Sequence, residues 1–345
     1  MTEPGQYTIS GRRYDVLDLE GGGLRARICT LGATLMGLWA PDALGRVEDV
    51  ALGYDRIEDY LHDDAFLGAA VGRVAGRIAG AAVKVDGETY DLEAGDDGNT
   101  LHSGPSGLHR QVWTVEQQAV NYVTLGTTSP DGAGGFPGAL EVRLTFSLVP
   151  MGRGGALRLD WLAETTAPTP VALAHHTYWN LGGHSAGSVL DHVVQSDADR
   201  VVGLEDDLTT TGDVLEVEDT PFDLRAPTRL RDVDGADHRL IEAVGGVDHD
   251  WLVPPHNGRT SPMRRAVSVW SPRRRLDVWT TEPGVHVYAG GTLDVLGKGR
   301  APYRANAGLA LETQPPPDAQ RWPDFPDTIL RPGQTFQSRT DYAFS

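Results

Sequence analysis

Cysteine is nearly absent: Cys29 is the only one in 345 residues. A lone thiol makes no internal disulfide and no cysteine-rich zinc site, which excludes the small stapled folds. It sits in the alternating run Ala26-Arg27-Ile28-Cys29-Thr30-Leu31, so a small, buried, apolar role is expected for it. Basic charge is short as well. The chain has 30 Lys and Arg against 48 Asp and Glu, a net charge of −18. Such a surface repels the phosphates of nucleic acid and of anionic membranes, so neither is an expected partner. A neutral ligand such as a sugar is allowed but not indicated. No apolar run approaches the ~18 residues of a membrane span. Met1-Thr2-Glu3-Pro4-Gly5 lacks a basic stretch leading into an apolar one, so the expected compartment is the cytoplasm. Helical periodicity is scarce, with Ile57 to Leu61 read as a single turn.

What the chain does have is glycine and alternation. Its 42 glycines and 22 prolines follow no period, which excludes collagen and implies many turns between short elements. Leu140-Glu141-Val142-Arg143-Leu144-Thr145-Phe146-Ser147-Leu148 alternates without a break, the pattern of a half-buried strand. A turn over Pro150 to Gly155 and a second alternating run, Leu157 to Trp161, suggest its hairpin partner. Val83-Lys84-Val85 and Thr89 to Leu92 flank Asp86-Gly87, a tight-turn signal. Ala266 to Trp270 and Leu276 to Thr280 form another expected hairpin, and Val285 to Tyr288 a further strand. There is no internal repeat, long linker or low-complexity tail. The expectation is one β-rich domain over residues 1–345, an all-β, large antiparallel sandwich.

Reactive groups gather in a few segments: Asn99 to Gly104, Ala174 to Gly182, Gly246 to Trp251 and Leu309 to Gln314, with Gly72 to Ile78 adding a cation. Any one of these, taken alone, is more simply a surface or capping feature. Glu312 is the sharpest residue. It follows the apolar Leu309-Ala310-Leu311, where a carboxylate needs a partner or a task unless it is the outward residue of its strand.

Taken in order, the segments resemble the aldose 1-epimerases, also called galactose mutarotases. The resemblance is carried by Gly72 to Ile78, Leu101 to Gly104, His175 to Leu181, Val247 to Asp250 and Leu311 to Asp318. Further landmarks are Gly135 to Gly138, Thr220 to Leu224 and Phe325-Pro326 leading to Leu330-Arg331-Pro332-Gly333, so it covers nearly the whole chain. It implies a large β-sandwich with a sugar cleft on a concave sheet. It also implies an isomerase that interconverts the α and β anomers of a free aldose, without metal, nucleotide or redox cofactor.

Mutarotation opens a cyclic hemiacetal and closes it on the other face. The anomeric hydroxyl loses a proton while the ring oxygen gains one, so one base and one acid are required. The resemblance makes Glu312 the base and His176 the acid, and it puts sugar binding on Arg77, His102 and Asp248. His286 stands at a further pocket position. Donors from Arg and His with an Asp acceptor suit hydroxyls, which both donate and accept. Trp179 and Trp251 lie beside these motifs, and core packing is the simpler role for both. His175 is a second acid–base group, a partner that orients His176, or a structural residue; the sequence does not choose.

Three residues depart from the family pattern. Gly76 and His175 each stand where the family usually has Asn, and His286 stands where it usually has Gln. All are pocket-shaping positions, so the preferred sugar is expected to be a pentose or a less common hexose rather than galactose or glucose. Three other readings compete. A carbohydrate-binding module needs no acid–base pair. A metal enzyme would draw on His102, His175, His176, Asp248 and His249. A glycoside hydrolase or lyase on a similar sandwich would pair Glu312 with Asp248. Oligomeric state is left open between monomer and homodimer.

Overall fold

The structure is a computed structural model that describes residues 1–95, 97–255 and 261–345. Alternation sets its architecture. Leu140–Met151 and Gly154–Thr165 pair antiparallel, with Phe146 opposite Leu159 and Leu148 opposite Leu157, and all four side chains are buried. The hairpin is tighter than the expected Pro150 to Gly155 loop. Pro150 pairs with Gly155 and Met151 with Gly154, which leaves Gly152-Arg153 as the turn. Gly152 makes that possible with φ 59°, a backbone state that a two-residue hairpin turn requires and that glycine adopts without strain. The other expected hairpins form as Ala82–Val85 with Glu88–Asp91 and as Arg264–Trp270 with Arg275–Thr280.

Among the described residues the strands make three large antiparallel sheets. The largest has nine strands: Thr114–Gln118, Tyr122–Ser129, Leu140–Met151, Gly154–Thr165, Phe336–Phe344, Arg275–Thr280, Arg264–Trp270, Val193–Gln195 and Thr228–Arg229, in that spatial order. A six-stranded sheet runs Tyr178–Trp179, Leu309–Gln314, Gly284–Tyr288, Asp248–Leu252, Arg200–Leu204, Thr210–Glu216. A five-stranded meander spans Gly5–Ile9 to Val47–Asp49 and was not read from the sequence. Nor were the short helices Leu230–Asp234 and Arg239–Val244. The four-residue helix Ile57–Tyr60 is the single turn expected over Ile57 to Leu61.

All three sheets contribute to one hydrophobic core, with Leu24, Ile28 and Leu38 from the meander, Leu144, Val267 and Tyr342 from the largest sheet, and Trp251, Val285 and Leu311 from the six-stranded one. This is the two-layer logic of a β-sandwich, in which each sheet hides one face against another. Trp179 and Trp251 are both 1% exposed and belong to that core, in keeping with the simpler role. Cys29 is fully buried. No described helix is long and apolar enough to cross a membrane.

The six-stranded sheet positions the site. In Leu309–Gln314 every residue is buried, so neither face is an ordinary solvent face. Leu311 turns to the core, and Tyr342 Oη donates to its carbonyl at 2.8 Å. Thr313 lies on the same side, 2.5 Å from Thr340 Oγ1. Period two then puts Ala310, Glu312 and Gln314 on the opposite face.

A buried cation ties the meander to the rest. Lys298 Nζ donates to Asp49 Oδ2 at 2.5 Å, Ala51 O at 2.7 Å and Met36 O at 2.9 Å, all inside the protein. Removing one member of such a pair leaves a buried charge uncompensated. Lys298→Met is therefore expected to cost about 3–5 kcal/mol in urea unfolding. A loss under about 1 kcal/mol would show that water reaches Asp49.

Candidate active site

Strand register assembles the site from distant segments. Asp250 lies directly opposite His286, and His286 directly opposite Glu312. Opposed residues of an antiparallel sheet share a face, so the three side chains form a row across neighbouring strands. Asp248, two residues before Asp250, shares that face. A second group arrives from outside the sheet. Ala174–His176 pairs with Ala69–Val71 and brings His176 Nε2 to 3.4 Å from Glu312 Oε1. Arg77–Ile78 pairs with Thr100–Leu101, and His102 follows at once in a left-handed conformation, φ 49°. The His102 N–H donates to Gly76 O at 3.0 Å, and the Gly76 N–H donates to His102 Nδ1 at 3.1 Å. Arg77 and His102 are thus locked to each other.

These residues line one cleft with a cavity of about 200 Å³. Its wall includes Arg77, His102, His176, Asp248, His286 and Glu312, so every site residue expected from the sequence is present. Others were missed. Phe66, with φ 57°, sets its ring 4.7 Å from that of His102 and 5.7 Å from that of His176. Tyr178 packs 4.8 Å from the His176 ring. Asp250 and Gln314 also line the wall, joined by a 3.3 Å hydrogen bond from Gln314 Nε2. Period two from Asp248 and from Glu312 would have found these last two. Nothing in the sequence marks Phe66.

Burial dominates the electrostatics. It pushes the Glu312 carboxyl up to about 8, with Asp250 and Asp248 adding to the rise and His286 opposing it. Neither Glu312 oxygen has a hydrogen-bond partner among the described residues. Burial also presses His176 down to about 3, helped by the charge of His286, and holds His102 well below the usual histidine range. At neutral pH the cleft therefore favours a protonated Glu312 carboxyl beside neutral His176 and His102 rings. His286 behaves oppositely. Burial would lower it, but Asp250 and Asp248 outweigh burial and raise it well above the usual range. Asp248 is held low by His286 although burial acts to raise it.

The three departures separate once the structure is seen. His175 turns to the core side. Its Nδ1 meets Thr177 Oγ1 at 2.8 Å, its Nε2 meets Ala33 O at 3.2 Å, and its ring packs edge-on to Phe146. Of its three sequence roles, the geometry leaves the structural one. Gly76 sits at φ 77° against Pro317, whose Cγ would lie 2.6 Å from any Cβ at that position. His286 lines the cleft, with Nε2 2.8 Å from Asp248 Oδ1 and Nδ1 3.1 Å from Asp250 Oδ2.

Donor atoms of His102, His176 and Glu312 lie within 4.8 Å of one another, close enough to surround a metal ion. The hydrogen bonding disfavours that use. His102 Nδ1 already accepts from Gly76 N–H, so the neutral ring carries its proton on Nε2 and has no free lone pair. That tautomer makes His102 a donor into the cleft. The wider metal set drawn from the sequence is not assembled, because the ring of His249 is spent on the Leu240 carbonyl and the Asp248 N–H.

The fold and this cleft place the chain in the galactose mutarotase-like supersandwich class. The crystal structure of an aldose epimerase homologue from C. elegans superposes with a TM-score of 0.88 at 30% identity, covering 96% of this chain and 99% of the other. Galactose 1-epimerase from Lactobacillus acidophilus superposes with a TM-score of 0.84 at 26% identity, covering 99% and 97%. Human galactose mutarotase is 36% identical over 99% of this chain and 97% of its own length. The aldose 1-epimerase of Escherichia coli K12 is 32% identical over 97% and 96%. The aldose 1-epimerase family model matches residues 15–343, and the chain belongs to that family. Membership carries with it isomerase activity of the mutarotase type.

A carboxyl whose folded value is raised favours folding below its ordinary value of 4.5, and that contribution is lost as pH climbs through about 8. Glu312→Gln removes this titration. Between pH 5 and pH 8 the stability of the variant relative to wild type is expected to improve by about 1–3 kcal/mol in urea unfolding. A difference that stays constant with pH would show that the Glu312 carboxyl is not desolvated.

Proposed function

We infer that this protein is an aldose 1-epimerase of the cytoplasm acting on a free neutral monosaccharide, with residues 1–345 as one catalytic unit, Glu312 as base and His176 as acid. The observation that carries the reading is the buried carboxyl of Glu312, without a hydrogen-bond partner among the described residues and 3.4 Å from His176 Nε2. A charge-capable group kept in that state costs stability and is retained where a ligand completes it. A sugar hydroxyl donating to Glu312 favours its carboxylate and so drives its proton onto His176. The pair then stands ready. Glu312 takes the proton of the anomeric hydroxyl as the bond between C1 and the ring oxygen breaks, and His176 protonates that oxygen. The product is the open-chain aldehyde. After rotation about C1–C2 the same two transfers run backwards on the other face, and the pair ends as it began. Arg77 and the Nε2–H of His102 supply donors for sugar hydroxyls, and Asp248 supplies an acceptor. His286 lies at the same wall. A glycoside hydrolase pairing of Glu312 with Asp248 is less well supported, because Asp248 faces the His286 ring.

The test is polarimetry of freshly dissolved single anomers of galactose, glucose, xylose and both arabinoses. Wild type is expected to speed the approach to the unchanged final rotation, and Glu312→Gln to lose about 10²–10⁴-fold. A variant as active as wild type would remove Glu312 from the chemistry. The ranking of sugars tests the pocket, since galactose clearly in first place would contradict the preference expected from the altered residues. The pH profile is a separate check. With the Glu312 proton lost near 8, kcat/KM is expected to be flat from about pH 5 to 7 and to fall above about pH 8. An activity that rises steadily to pH 10, after subtraction of the unaided reaction, would rule out a one-proton pair.

A further inference from the structure

His286 is the cleft residue whose surroundings fit sugar binding least. Its Nε2 faces Asp248 Oδ1 at 2.8 Å and its Nδ1 faces Asp250 Oδ2 at 3.1 Å, so both ring nitrogens meet carboxylate oxygens. These are ion-pair contacts of a ring whose side chain is 17% exposed, with 18% for Asp248 and 5% for Asp250. A ring nitrogen carrying a lone pair would meet those oxygens with repulsion, so the arrangement calls for a proton on each. The approach of Nδ1 to Asp250 is an ion-pair contact without hydrogen-bond alignment. The ring also holds a fixed place in the row, opposite Glu312 on the next strand.

We propose that His286 is a positioning residue for the mutarotase reaction, a cation that bridges Asp248 and Asp250, aims Asp248 at the sugar and stabilises the carboxylate form of Glu312 across the strand pair. The proposal rests on the reading of Glu312 as the base. Every charged group around the ring bears on it. Asp248 and Asp250 face it from their strand, with His249 on the far side of that strand. Glu312 lies on the other flanking strand, and His176, His102 and Arg77 close the cleft opposite. One cation and two aspartates leave a single net negative charge beside Glu312. Without the cation there would be two, at short range and in a dry site where such differences are large. The direction of influence agrees, since the charge of His286 lowers the Glu312 carboxyl while both aspartates raise it. Glutamine, the residue that the family resemblance places here, is neutral, so this chain has a charge where the resemblance has none.

The experiment reads the two protonation states directly and does not depend on turnover. Nitrogen-15 NMR of the histidine rings in wild type is expected to show His286 doubly protonated at pH 8 and above. Carbon-13 titration of the Glu312 carboxyl in wild type and in His286→Gln is expected to show a midpoint higher by about one pH unit or more in the variant, a factor of ten in the ionisation equilibrium. With activity present, the alkaline limb of kcat/KM should move upward with it, and kcat should fall by at least about tenfold. A singly protonated His286 ring at pH 8, or a Glu312 midpoint unchanged by the substitution, would overturn the proposal. If His286→Gln does not fold, the wild-type ring measurement alone decides. Absence of mutarotation on every sugar, with both NMR results as expected, would reject the assigned reaction and leave the bridge standing.

Discussion

The constraint on which the rest depends is a carboxyl held away from water. Glu312 lies on a strand that is buried along its whole length, and its oxygens have no hydrogen-bond partner among the described residues. Burial alone favours the protonated, neutral form. The same strand sends its alternate residues into the core shared with the largest sheet, so it is held on both faces and Glu312 has little freedom to escape to solvent. The site is made from the part of the molecule least able to relax. That rigidity is what holds two groups of unlike chemistry 3.4 Å apart.

The surrounding devices serve this pair. The reciprocal hydrogen bonds between His102 and Gly76 fix one imidazole as a donor and hold Arg77 beside it. Asp318, just beyond the Glu312 strand, accepts from Ala79 N at 3.2 Å, which pins the strand's exit to the segment that carries Arg77. Pro317 closes the same seam against Gly76, where φ 77° and the lack of room both call for glycine. The departures from the family pattern therefore have unlike meanings. The one at Gly76 reshapes the rim, the one at His175 repacks the core side, and the one at His286 changes charge inside the cleft.

Much of this was legible in the sequence, and what was not has a physical reason. Leu140 to Leu148 and Leu157 to Trp161 declared their pairing because period two and a short separation are local properties. Glu312 stood out because a carboxylate after three apolar residues is conspicuous at any register. The short turn at Gly152 was blurred because proline and glycine mark a bend without fixing its length. The role of His175 stayed open, since adjacent residues of a strand point to opposite faces and only the pairing with Ala69–Val71 fixes which way each turns. The bridge at His286 depends on the register of three strands that meet from positions 248, 286 and 312, a long-range property that composition and periodicity do not carry. Phe66 reaches His102 and His176 from a loop, where no period exists to read.

On the proposed reading, the carboxyl of Glu312 holds its proton in the free protein and passes it to the His176 imidazole when a sugar enters. Nitrogen-15 NMR of the His176 ring at pH 7, without sugar and with the best substrate at saturation, tests it most directly. A neutral ring is expected in the free protein and an imidazolium in the complex, with no net proton taken from the buffer. A ring that stays neutral with sugar bound, or is already charged without it, would show that no proton passes from Glu312 to His176.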